Sequence, residues 1–206
     1  MRLFLVSINS MDWVVITGGG SGIGQALVSH FSRNQNVLTC GRRMEALLAT
    51  KDCAARPERV HIVQADIAVH EQRQRFVEHL PDGAHVSLLV QNAADGDPNA
   101  FEQISVDHFE HALRVNVVAP MALTQAFLPS LRPASHEQKA GRVLHIGTSV
   151  AYRPQKGTLV YGVSKMAFHR SPDRPCPSFD NMIKPCCPVP CTLSGCTSRL
   201  MRRSWA

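Results

Sequence analysis

From about residue 11 to residue 170 the chain alternates short apolar runs with segments of helical period, and that alternation leaves few folds open. "DWVVIT" (12–17), "NVLTC" (36–40), "RVHIVQA" (59–65), "HVSLLV" (85–90) and "RVLHIG" (142–147) read as five strands. Between and after them lie "GQALVSHFSR", "MEALLATKDCAA" (44–55), "HEQRQRFVEHL" (70–80), a long helical stretch from about Val106 to Leu131, and "LVYGVSKMAFHR" (159–170). Strands separated by helices pair in parallel through right-handed crossovers, so the pattern predicts a doubly wound α/β sheet. With 206 residues and 44% apolar content, the chain is long enough for one substantial core.

The first strand runs into "TGGGSGIGQAL", with Gly18, Gly22 and Gly24 between strand and helix. Glycines there permit a sharp turn and close backbone approach to a pyrophosphate, while the helix N-terminus offers free amides and a positive dipole. Placed directly after the first strand, this turn is expected to be a dinucleotide site. At the end of the second strand, a carboxylate would bind a ribose diol and repel a 2′-phosphate. Here "LTCGRR" puts Gly41 at that place and follows it with Arg42 and Arg43. Guanidinium groups bind phosphate through charge-assisted contacts, so the sequence favours NADP(H) over NAD.

Tyr161 and Lys165 stand four residues apart in a helix and share a face. A nearby ammonium favours phenolate, and the pair is therefore expected to lower the tyrosine pKa and exchange a proton with a ligand. His108 and His111, three apart in another helix, lack an evident third metal ligand and read as an exposed helix face; no metal is expected.

Several motifs in order resemble the short-chain dehydrogenase/reductase family over residues 11–170. "TGGGSGIG" is similar to that family's cofactor turn, which implies cofactor contacts from Gly18, Ser21, Gly22, Ile23 and Gly24. "ADI" resembles the adenine-contacting element, implying Asp66 on the adenine amino group with Ile67 beside it. "QNAA" is a variant of the family's NNAG that retains Asn92. "RVNVVAP" places Asn116 at the catalytic asparagine, and "YGVSK" places Tyr161 and Lys165 at the catalytic pair. "HIGTSVAYRPQKGTLVYGVSK" is particularly similar to sepiapterin reductases and their benzil-reductase-like relatives. That comparison sets Thr148 at the catalytic serine, with Ser149 one place later as its substitute. The resemblance implies a Rossmann-like domain, an NADP(H)-dependent oxidoreductase acting on a small carbonyl or alcohol substrate, and a possible homodimer. Lys165 would also bind the nicotinamide ribose, and Asn116 would hold a water linking that lysine to solvent.

Beyond Arg170 the composition changes. Residues 171–206 hold six of thirteen prolines, five of seven cysteines and one of thirteen glycines. No strand and no Pro-Gly segment is recognisable there, where family members continue with a sixth strand and a substrate-covering region. The expectation is an incomplete Rossmann-like domain followed by an irregular Pro/Cys-rich tail, with "RVLHIG" left as an open sheet edge and turnover weakened. The junction resembles a reading-frame shift, an alternative exon or a retained intron. Cysteines gathered in the tail, without paired CxxC spacing, argue against a disulfide framework and against structural zinc. Half of the +6 charge also falls in the tail and the rest is scattered, so nucleic acid is not the expected partner. "MRLFLVSINS" (1–10) reads as an extension, its apolar run too short for a signal-peptide core. With no run long enough for a bilayer either, the sequence predicts a soluble cytoplasmic protein.

Overall fold

The computed structural model describes residues 12–96, 98–132, 139–169 and 183–185. Five strands fall where the sequence pattern puts them: β1 (Trp13–Thr17), β2 (Asn36–Gly41), β3 (Val60–Gln64), β4 (Val86–Gln91) and β5 (Arg142–His145). Helices α1 (Gly22–Phe31), α2 (Met44–Asp52) and α3 (His70–Glu78) connect the first four. All strand pairs are parallel, in the order β3-β2-β1-β4-β5 with one further strand beyond.

Every residue of β1 is buried, because helices cover both faces of the sheet. Side-chain alternation divides the core in two. Val14 and Ile16 pack with Val28 of α1, Val37 of β2 and Val90 of β4. Trp13 and Val15 face the other way, towards Phe76 of α3 and towards Leu123, Phe127 and Leu131 of a later helix. The strand order reverses between β1 and β4, so the chain moves outward from β1 in opposite directions on either side. That reversal opens a crevice beyond the strands' C-terminal ends, the usual ligand position in open α/β sheets.

Two features depart from the sequence expectation. The stretch expected as one helix from about Val106 to Leu131 is α4 (Val106–Leu113), a π-helical turn (Arg114–Val118) and α5 (Ala119–Leu131). The wider turn centres on buried Asn116, whose side chain is bonded outside its own helix. Such π-turns concentrate at functional positions.

The second departure corrects the open edge expected at β5. A three-residue strand, β6 (Ile183–Pro185), lies parallel beside it, with Val143 opposite Ile183 and His145 opposite Pro185. An unpaired strand edge exposes a row of backbone donors and acceptors, and this segment supplies partners for them. Proline is tolerated there because the outermost strand needs ladder bonds on one side only. The rest of the tail that the sequence reads as irregular, and the 1–10 segment read as an extension, lie outside the described residues. Helix α6 (Leu159–His169) follows β5 as expected. No helix among the described residues is long and apolar enough to cross a membrane.

Phe76 and Phe127 are fully buried and meet edge-to-face, with ring centroids 5.9 Å apart. Phe127→Ala is expected to lower the unfolding free energy by about 3–5 kcal/mol in urea denaturation. Phe101→Ala, at a side chain 74% exposed, should change it by no more than about 0.5 kcal/mol.

Candidate functional site

A cleft of about 320 Å³ opens over the C-terminal ends of β1 to β4. Its lining includes Gly18, Ser21, Arg42, Arg43, Asp66, Ile67 and Asn92, all singled out from the sequence. Ile23 stands apart: it is exposed on the first turn of α1 and does not line the cleft. Gly22 and Gly24 lie in the same turn beneath it. A methyl group on Gly24 would sit 2.1 Å from the Gly18 carbonyl oxygen and 2.7 Å from Asn92 Nδ2, so only glycine lets helix and turn approach this closely.

The glycine turn is clamped from both neighbouring strands. The N–H groups of Gly18 and Gly19 donate to the Cys40 carbonyl at 2.8 and 3.1 Å. Asn92 Nδ2 donates to the carbonyls of Thr17 (2.9 Å) and Gly18 (3.1 Å), while Thr17 Oγ1 accepts from the N–H groups of Asn92 and Ala93. Asn92 thus shapes the turn as well as lining the cleft. Ser21 precedes α1 in extended conformation and makes no side-chain cap, and α1 has no acidic residue in its first turn. Its N-terminal dipole therefore meets no carboxylate of its own, which suits an anion.

Arg42 and Arg43 are exposed at the cleft's rim, and among the described residues neither enters an ion pair. Gln64 Nε2 holds the Arg42 carbonyl at 3.0 Å. Asp66 Oδ1 accepts from the Ala68 N–H at 2.9 Å, and the Asp66 N–H donates to Gln72 Oε1 at 2.7 Å. These bonds fix the β3–α3 corner beside the cleft. Cys40 also borders it, but its thiol is fully buried in the core and has its pKa pushed up to about 12, so it is no nucleophile at neutral pH.

The second group of residues lies beyond the cleft lining, around α6. Asn116, at 2% exposure, accepts from the Asp95 N–H at 2.9 Å and donates to the Asp95 carbonyl at 2.5 Å and to Ser164 Oγ at 2.8 Å. Ser164 Oγ in turn donates to the Tyr161 carbonyl at 3.0 Å. Asp95 lines the cleft, so Asp95, Asn116, Ser164 and Tyr161 form one hydrogen-bonded path from cleft to helix. Lys165 Nζ donates to the Ile146 carbonyl at 3.1 Å and lies 5.7 Å from the Tyr161 ring centroid. Thr148 Oγ1 accepts from the Val150 N–H at 3.3 Å, capping the short 3-10 turn Ser149–Ala151 that packs against α6.

Burial corrects the expected electrostatics. With only 7% of its surface exposed, Lys165 has its pKa lowered to about 8 by desolvation. The Tyr161 phenol is raised above its ordinary value, again by desolvation, rather than lowered by its neighbour. The ammonium reaches for a backbone carbonyl, and loss of water around the phenol outweighs its attraction.

Sequence reasoning missed two members of this group. Ser164 stands in the same "YGVSK" segment, three residues after Tyr161, and helical spacing alone would have placed it on that face. Asp95 carries no comparable signal, since Asn116 recognises its backbone. Its side chain corrects the reading of the histidines as an exposed face: His108 and His111 are partly buried, with Nε2 3.7 and 3.8 Å from Asp95 Oδ2. Among the described residues no group of three or more histidine, cysteine or acidic side chains is arranged to hold a metal.

Residues 12–171 match the family model described as short chain dehydrogenase. The short chain dehydrogenase penD of Penicillium thymicola is 30% identical over 171 residues, covering 74% of this chain and 58% of the relative. The NADP-dependent 3-hydroxy acid dehydrogenase YdfG of Escherichia coli (strain K12) is 28% identical over 156 residues, covering 74% and 60%. A solved short-chain dehydrogenase from Streptomyces avermitilis superposes with a TM-score of 0.73 at 25% identity, over 85% of this chain and 64% of that one. The chain thus spans about six-tenths of the length of these relatives. With its glycine turn, crevice and Asn116–Tyr161–Lys165 group in this arrangement, the chain belongs to the short-chain dehydrogenase family.

Proposed function

We propose that this chain is an NADP(H)-dependent carbonyl reductase in which Tyr161 is the acid/base. The observation that carries the reading is the set of hydrogen bonds from the Asp95 backbone through Asn116 and Ser164 to the Tyr161 carbonyl, because it fixes the helix that bears Tyr161 and Lys165 against a loop lining the crevice. The residues present fit a dinucleotide. Gly18 and Gly24 let the turn and the helix N-terminus pack closely enough to present backbone amides to the cleft, and Arg42 and Arg43 at its rim, in no ion pair among the described residues, supply charge suited to a 2′-phosphate. When bound, that cofactor supplies hydride to a carbonyl carbon.

Each chain residue then has a defined task. Arg42 and Arg43 hold the 2′-phosphate, and the α1 N-terminus with Ser21, Gly22 and Ile23 faces the pyrophosphate. Asp66 and Ile67 flank the adenine. Lys165 holds the nicotinamide ribose and keeps a positive charge beside the phenol. Thr148, with Ser149 as the alternative hydroxyl, polarises the substrate oxygen. Tyr161 Oη delivers a proton to that oxygen. Burial keeps the phenol protonated in the unliganded chain, so Tyr161 enters the reduction in its acid form. NADP is preferred to NAD on the two arginines, and the Escherichia coli relative is itself described as NADP-dependent. The likeness of residues 145–165 to sepiapterin and benzil reductases supports small ketones, diketones or pterin-like carbonyls as substrates.

One observation favours a second reading, a nucleotide-binding member with little turnover. The cleft's lining stops at Val115 in sequence and includes none of Thr148, Tyr161 and Lys165. NADPH titration with assays on those carbonyls separates the two: binding with turnover supports the reductase, and binding without it supports the second.

For the reductase, Tyr161→Phe should reduce kcat by at least about 100-fold with NADPH affinity retained, as expected for loss of a positioned proton donor. Equal turnover by both proteins excludes this mechanism. Replacing both Arg42 and Arg43 with alanine should weaken NADPH binding about tenfold or more, with NADH within about twofold, in fluorescence titrations. Lys165→Met should stop turnover yet stabilise the unliganded fold. The unfolded chain keeps the lysine proton to about pH 10.5, whereas the folded chain releases it near pH 8. Below pH 8 the folded state therefore carries a disfavoured charge, a cost on the order of 3 kcal/mol that disappears as pH rises from 8 to 10.5. Thermal melts of Lys165→Met should lie above wild type at pH 7 and converge with it by pH 10.5.

A further inference from the structure

After β4 the chain is tied down at two points on either side of Gly96. On one side Asp95 is gripped by both polar atoms of Asn116, and its carboxylate faces His108 and His111 of α4. On the other, the Asn99 N–H donates to the Gly157 carbonyl at 2.9 Å, joining this segment to the loop that leads into α6. Between these anchors the Gly96 backbone lies directly on Tyr161.

The contact leaves no space. A Cβ added to Gly96 would stand 2.7 Å from Tyr161 Cβ, 2.8 Å from Cδ2 and 3.1 Å from Cγ. These atoms form the root of the tyrosine side chain, not its free end, so rotating the ring tip cannot relieve the overlap. Gly96 also has φ 152°, a backbone conformation that side chains disfavour.

We infer that Gly96 is a positioning residue: its bare backbone is the wall that fixes the direction of the Tyr161 side chain, and hence where its hydroxyl points. Gly96 meets only the carbons nearest the tyrosine backbone, so it acts through Tyr161 and not on a reacting atom. It does not line the cleft, so its influence falls on the proton-bearing group and spares dinucleotide binding. The kinetic consequence rests on the reductase reading; the contact itself does not.

The test separates the two. The sequence has two tyrosines, Tyr152 and Tyr161. In protein labelled with ¹³C-tyrosine, Tyr161→Phe assigns the two sets of ring resonances. Gly96→Ala should shift those of Tyr161 and leave those of Tyr152 in place. In the same variant kcat should fall about 100-fold, the cost of misplacing a reacting group by roughly 1 Å, while the NADPH Kd stays within about twofold. Unmoved Tyr161 resonances, or a wild-type kcat in Gly96→Ala, overturn the inference. If wild type reduces no carbonyl but the Tyr161 resonances still shift, the reductase reading fails and the positioning contact stands.

A thermal cycle covers the case in which Gly96→Ala folds poorly. In a Tyr161→Gly parent all three overlapping atoms are gone, so adding Gly96→Ala should lower Tm far less than it does in wild type. Equal losses in both parents would assign the whole effect to backbone strain and overturn the inference.

Discussion

The amide of Asn116 holds the two halves of the site in one frame. It sits in a π-helical turn whose irregular backbone aims its side chain out of the helix, and it meets Asp95 with donor and acceptor together. A third bond reaches Ser164, on the same helix as Tyr161 and Lys165. Buried at 2% exposure, an amide with these groups unmet would cost about 1–3 kcal/mol per lost partner. The geometry is therefore tightly determined: the loop after β4, the interrupted helix and α6 cannot shift separately without orphaning a buried polar group.

Burial sets the character of the proton-bearing pair on that frame. Taking Lys165 out of water lowers its pKa to about 8, and the same exclusion raises the Tyr161 phenol. Both changes destabilise charge, so the unliganded pair holds few charges it can avoid. This costs folding stability at neutral pH, where the lysine is still largely protonated. It also leaves the ammonium poorly solvated and ready to gain from a hydroxyl-bearing ligand. A site that is electrostatically uncomfortable when empty gains most on binding, which is a common stability-for-function exchange.

The sequence showed the scaffold more fully than the site. Strands such as "DWVVIT" were legible because burial on both faces leaves continuous apolar runs, and the glycine turn because close packing at Gly24 forbids any other residue. The π-turn was not, since residues 106–131 keep helical periodicity while its cause is a tertiary bond to Asp95. β6 was hidden for a related reason: Pro185 reads as a strand breaker unless the segment is known to lie at an edge. The direction of the Tyr161 shift was also out of reach, because spacing reveals a neighbouring charge but not the water both groups lose. His108 and His111 were legible as a pair, while the carboxylate they face comes from a loop whose path no local pattern encodes.

The two halves of the site differ in what supports them, and that bears on how function is distributed. The dinucleotide half rests on the ends of four strands held between two apolar layers, and its glycine turn is bonded to both neighbouring strands. The proton-bearing half rests on one helix and a 3-10 turn, joined to the sheet by the Lys165–Ile146 bond and by the Asn116 and Asn99 ties. Few bonds and little apolar cover make such a region the lower-stability part of a fold. The glycine turn and the Arg42–Arg43 rim can then survive perturbations that scatter the phenol, because only the Asp95 end of the cleft is tied to α6. Under the proposed reading, catalysis has no such independence: it needs the strand ends, the anchored loop and the helix in register together.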